Sequence, residues 1–169
     1  MKKNHIMRAL FIVTLITFFI VDRWLKNSTG IKYTLDMMLY YDSEHVKEWL
    51  QLMGHKGQEI YRLLHKVDYL FIVAFAALQI QVLYERAQVN PLVIRKEILY
   101  LPVILRGIAD IGENITIDYL LHTYPTIEKT FVNIAYTMTF LKWIFLILFL
   151  VEIIYFYYRK RFCIIKVES

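Results

Sequence analysis

One cysteine, Cys163, stands in a chain of 169 residues, which excludes an internal disulfide. Proline occurs three times and glycine five. No Pro/Gly/Ser-rich linker and no internal repeat divides the chain, so a single domain over 1–169 is expected. The nucleophile elbow G-x-S-x-G, the Walker phosphate loop, the H-E-x-x-H zinc helix and paired-cysteine motifs are all missing. No cofactor is implied. The nearest approach to a metal site, His65 and His122 with Asp68, follows no known ligand spacing, and no metal is expected. A basic–aromatic face suited to nucleic acid is also missing, because the positive charge is confined to the flanks of apolar runs. Finally, no small-residue cleavage site follows the basic, apolar N-terminus "MKKNHIMRALFIVTLITFFIVDRW", so an uncleaved anchor is expected.

What the chain has in excess is apolar residues. The hydrophobic share is 58% and the mean hydropathy +0.43, more than a soluble domain of this length usually carries. The excess is concentrated in blocks, which predict helical spans at 6–25, 67–84, 98–121 and 131–158. Each reaches across a hydrocarbon core about 30 Å thick, which needs roughly 20 helical residues. The expectation is an all-α integral membrane four-helix bundle.

Charge then orients the chain. Lys2, Lys3 and Arg8 precede the first span, Arg86, Arg95 and Lys96 separate the second from the third, and Arg159, Lys160, Arg161 and Lys166 follow the fourth. An even number of spans places these dense basic segments on one side. By the positive-inside rule that side is the cytoplasm, with both termini there and the protein multi-pass in the cell membrane. The long first loop, 22–66, falls outside. Within it "YDSEHVKEWLQLMG" predicts a short amphipathic helix over 43–53, capped by Asp42 or Ser43, with Val46, Trp49, Leu50 and Met53 on one face and Gly54 at its end. A second helix, 57–66, is expected to run into span two without a break. Asn90-Pro91 reads as a helix start, with asparagine at the cap and proline at the first helical position.

The stretch "LRGIADIGENITIDYLL" puts Arg106, Asp110, Glu113, Asn114 and Asp118 at steps of three and four in the third apolar block. They form one face of a helix. An Asp or Arg near a span's centre costs about 2.5–3.5 kcal/mol, and each Leu, Ile or Val returns only about 0.3–0.6. The stripe must therefore turn inward. Counting depth from the outer ends, Lys142 in span four lies level with Asp110, which predicts a Lys142–Asp110 or Lys142–Glu113 pair, with Arg106 pairing Asp110 at i, i+4. Asp68 and Asp118 are left as an unbalanced acidic pair nearer the outer surface. Three readings stay open: a structural polar core, an outward-open pocket for a polar or lipid-like ligand, and chemistry or proton coupling at Asp110 or Glu113.

In order, "YDSEHVKEWLQLMGHKGQEIYRLLHKVDYLF", "LPVILRGIADIGENITIDYLL" and "AYTMTFLKW" resemble a family of small, poorly characterised, mostly bacterial four-span membrane proteins. The matching positions are Tyr40 or Tyr41, Gly54, Gly57, Tyr61, Asp68, Phe71, Asp110, Glu113, Asn114, Lys142 and Trp143. Gln58 stands where that pattern has arginine, and Ile72 where it has proline. The resemblance adds Tyr41 and Tyr61 to the candidate ligand-binding residues Asp68, Arg106, Asp110, Glu113, Asn114, Asp118 and Lys142, and implies no particular activity. The EXPERA group, four helices around an acidic cavity, is similar in architecture alone. The expected function is binding of a small polar or lipid-like ligand in a charged intramembrane cavity, or service as an accessory membrane subunit. The alternatives are an enzyme acting on a lipid or isoprenoid, with Asp110 and Glu113 as candidate catalytic groups, and a proton-coupled carrier. Expected partners are membrane lipids, a small-molecule or lipid ligand, and a second copy or another membrane protein, with no nucleic acid.

Overall fold

The computed structural model describes residues 2–89 and 96–165. Its elements are α1 (Lys2–Thr29), a single 3-10 turn (Leu35–Met37), α2 (Ser43–Val89), α3 (Lys96–Thr123) and α4 (Lys129–Ile165). No strand occurs among the described residues. The helix start expected at Asn90-Pro91 lies outside them.

The hairpin that begins α2 is encoded locally. Asp42 caps it, its Oδ1 accepting the backbone N–H of His45 at 2.8 Å. Val46, Trp49, Leu50 and Met53 are all buried, as their spacing requires. The first arm ends at Gly54, where φ 59° and ψ 179° define a conformation essentially restricted to glycine. That break strips carbonyls of their helical donors. The Gln58 side-chain amide answers one of them, donating to the Leu50 carbonyl at 3.2 Å. Gly57 sits where the second arm passes α1. A Cβ there would lie 2.4 Å from Thr29 Cγ2 and 2.9 Å from Met53 Cβ. From this point α2 continues as helix to Val89.

Among the described residues three helices are long and apolar enough to cross a membrane, over His5–Thr29, Ser43–Gln88 and Lys129–Arg159. The remaining expected span, the third, is α3; it is 28 residues long like α1 but carries Arg106, Asp110, Glu113 and Asp118, and by composition alone it falls outside that class. Its two sides differ sharply. Leu101, Ile104, Ile108, Ile111 and Ile115 form an exposed aliphatic row, while Arg106, Asp110, Glu113 and Asn114 are buried on the opposite side.

The main packing seams join α3 to α4, α1 to α2 and α2 to α3. Among the described residues none of comparable extent joins α1 to α4. Two apolar clusters result. One lies under the hairpin and includes Leu25, Leu35, Val46, Tyr61, Ile117 and Val132. The other, at the far end, contains Leu83, Leu99, Val103, Phe149 and Phe156. The charged residues occupy the level between them.

Candidate functional site

The charged level is a connected network. Arg106 donates to Asp110 at 2.6 Å one helical turn away, and Lys142 approaches the other oxygen of Asp110 at 3.3 Å. Lys142 also donates to Glu113, whose second oxygen accepts from the Thr139 hydroxyl. Both predicted Lys142 pairs therefore form at once. Glu113 has no exposed surface and Asp110 only 4%. Removing either cation would leave a buried carboxylate without compensation, a change that costs about 3–5 kcal/mol in such pairs.

Asp68 and Asp118 do not form the shared acidic pair expected at the mouth. Each has its own partner. Asn114 donates to Asp68 Oδ2 at 2.6 Å, while Asp118 meets His65 Nδ1 at 2.6 Å. The physical reason is helical phase. Asn114 follows Glu113 on the side of α3 that faces α2, and His65 is one turn from Asp68 on α2, so each carboxylate finds a polar neighbour on the facing helix before it finds the other.

Beside the network lies a cavity of about 310 Å³. Its apolar walls come from Leu15 and Phe18 of α1, Phe71 and Phe75 of α2, and Trp143 and Leu146 of α4. Asp36, Asp68, Arg106, Asp110 and Lys142 also contribute to its lining. The Arg106 guanidinium stacks over the Phe75 ring at 4.4 Å, which holds it against the wall. Glu113 and Asn114 bond to the lining residues Lys142 and Asp68 and do not line the cavity themselves. Of the two candidate catalytic carboxylates, only Asp110 reaches the cavity.

Tyr41 and Tyr61 also stand away from it. Tyr61 is buried against Trp49 and His65, with ring centroids at 5.0 and 4.3 Å. Tyr41 is buried beneath the hairpin and packs edge-on against Tyr136 at 6.2 Å. Burial, and secondarily the negative charge of Glu113, push its phenol well above the usual range, so it stays protonated. It borders a separate cleft of about 400 Å³ with Lys129 and Asn133. No pair of oppositely charged buried groups lines that cleft.

Two participants were missed by reading the sequence. Asp36 belongs to the 3-10 turn of the long first loop, outside the apolar blocks where the charge pattern was sought. Its apolar setting, "IKYTLDMMLYY", was the available signal, since a solvated loop has no use for so many large apolar residues. Thr139 sits one turn before Lys142, and that i, i+3 spacing on α4 could have marked it.

These features define an all-helical chain with three apolar helices of membrane-crossing length and a buried charge network beside a lipophilic cavity. No protein-family profile, curated protein or solved structure matches the chain.

Proposed function

We propose that this chain is a multi-pass membrane protein whose cavity binds an amphipathic, lipid-like ligand. The carrying observation is the cavity itself: aromatic and aliphatic walls, charged residues among its lining, and a position between α1 and α4, where the described residues form no extensive packing seam. Such a shape accepts an acyl or isoprenoid chain from the bilayer and brings its head to the charges.

In this reading α3 also crosses the membrane, as the third of four spans. Its aliphatic row from Leu101 to Ile115 meets acyl chains, and its charged side is satisfied inside the protein, the only arrangement in which its insertion cost is offset. Both termini then face the cytoplasm, the cell membrane is the location, and the α2 hairpin caps the bundle on the outer side. The likeness to the small four-span bacterial family belongs to the same reading, because its pattern contains Asp68, Asp110, Glu113, Asn114 and Lys142. A second copy or another membrane protein remains a partner class for the lipid-facing surfaces.

The test fills the cavity from its wall. Leu15→Trp projects bulk into it without touching the charge network. Protein purified in a mild detergent should carry an amphiphile detectable by mass spectrometry, and the variant should lose it while keeping its helix content. Equal lipid recovery from both proteins contradicts the reading.

A further inference from the structure

Granted the membrane reading above, on which the next step rests, the outer end of α4 lies at the bilayer surface. A cleft of about 400 Å³ opens there between the start of the α2 hairpin and the first turns of α4. Unlike the inner cavity, it presents polar groups at its surface. Glu44 stands on the hairpin side, Lys129 and Asn133 on the α4 side, and all three are exposed. Tyr40, 72% exposed, and Tyr136 supply aromatic surface, with ring centroids 5.4 Å apart. Exposed tyrosines suit the interfacial layer of a bilayer.

Two charges on this cleft stay uncompensated. Among the described residues neither Glu44 nor Lys129 forms an ion pair, with the other or elsewhere. Asp42, the other acid on the cleft, is occupied in capping α2. Lys129 is also the first residue of α4, the end at which a helix dipole disfavours a cation, so helix formation does not explain it. A negative and a positive group lining one cleft without meeting are the complement of a zwitterion. A second hollow, of about 290 Å³, shares Asn133 with the cleft and continues along α4 past Ile134, Thr137 and Met138. Its surface is mainly apolar. Met138 packs on Gly112 of α3, where a Cβ would lie 3.4 Å from the sulfur, so the α3–α4 seam holds this groove in place.

We propose that the outer cleft holds the head of a zwitterionic phospholipid, its phosphate on Lys129 and its ammonium on Glu44, with an acyl chain in the adjoining α4 groove. The site is separate from the inner cavity and shares no lining residue with it.

The experiment uses the full chain in neutral detergent. An open site loses its lipid to the micelles, so lipid is added back and its affinity measured by native mass spectrometry. The probes are phosphatidylethanolamine, phosphatidylglycerol and diacylglycerol of matched chains, with glycerophosphoethanolamine as the chainless head. Phosphatidylethanolamine should bind best, and the chainless head much more weakly. Lys129→Gln should weaken both phospholipids about fivefold, the upper end for an exposed charge pair. Glu44→Gln should weaken phosphatidylethanolamine by a similar factor and leave phosphatidylglycerol unchanged. Both positions are exposed, so the melting temperature should hold in each variant. Leu15→Trp, which fills the inner cavity, should leave these affinities intact. If Leu15→Trp abolishes them instead, the outer site is overturned and the cavity reading stands. Affinities that ignore both Lys129→Gln and Glu44→Gln also overturn the outer site. Phosphatidylglycerol bound as tightly as phosphatidylethanolamine, with no response to Glu44→Gln, overturns the zwitterion. Equal affinity for the chainless head overturns the groove.

Discussion

Lys142 shows how one side chain can decide whether a buried charged core is tolerable. Its ammonium reaches both Asp110 and Glu113, and Glu113 is completely buried. Lys142→Met should therefore lower stability by about 3–5 kcal/mol, because it strands charge in an apolar interior. Adding Glu113→Gln to the same protein should recover a good part of that loss, since the amide can still accept from Thr139. Thermal unfolding of the single and double variants in detergent measures the difference, and losses that simply add would show that the two groups are not coupled. The pairing itself was legible from depth counting along antiparallel helices. Thr139 offered only its spacing from Lys142 as a signal, because a threonine on an apolar helix commonly bonds its own backbone, as Thr139 also does to Ala135.

At the scale of elements, α3 and the α2 hairpin carry the architecture. α3 has an aliphatic row on one side and charges on the other, so under the proposed reading as a span it depends on α2 and α4 to enter a bilayer. Placed alone in a translocation reporter, residues 96–123 should insert poorly, and replacing Arg106, Asp110 and Glu113 by leucine should convert the segment into an efficient span. Efficient insertion of the unaltered segment would contradict this account of α3. The α1–α2 seam makes a separate prediction. Gly57→Ala drives a methyl group into Thr29 and Met53, so it should destabilise the protein by about 1–3 kcal/mol in the same unfolding assay. The hairpin's apolar face and its glycine stop were legible because both follow from helical period and backbone sterics. The contribution of Gln58 was not, since nothing local says that a side chain will reach back to the Leu50 carbonyl.

For the whole molecule, orientation is the testable claim. The single cysteine is a natural reporter. A membrane-impermeant thiol reagent should label Cys163 only after cells are permeabilised. In a Cys163→Ser background, His55→Cys should be labelled in intact cells, because His55 lies on the hairpin with its side chain 85% exposed. The reverse pattern would place the basic flanks outside and overturn the assignment of sides.

By itself the sequence determined that the chain is helical, where its apolar runs lie, that the third run gathers its charges on one face, and that Lys142 is level with them. These follow from a fixed helical period and a fixed rise per residue, which any reader of the chain can apply. Only the tertiary structure decided that Asp36 descends from a loop to the charge level, that His65 and Asn114 take separate aspartates, and that an apolar-walled cavity remains where α1 and α4 form no extensive seam. Loop placement and voids depend on how distant segments fill space together, and no local periodicity encodes that.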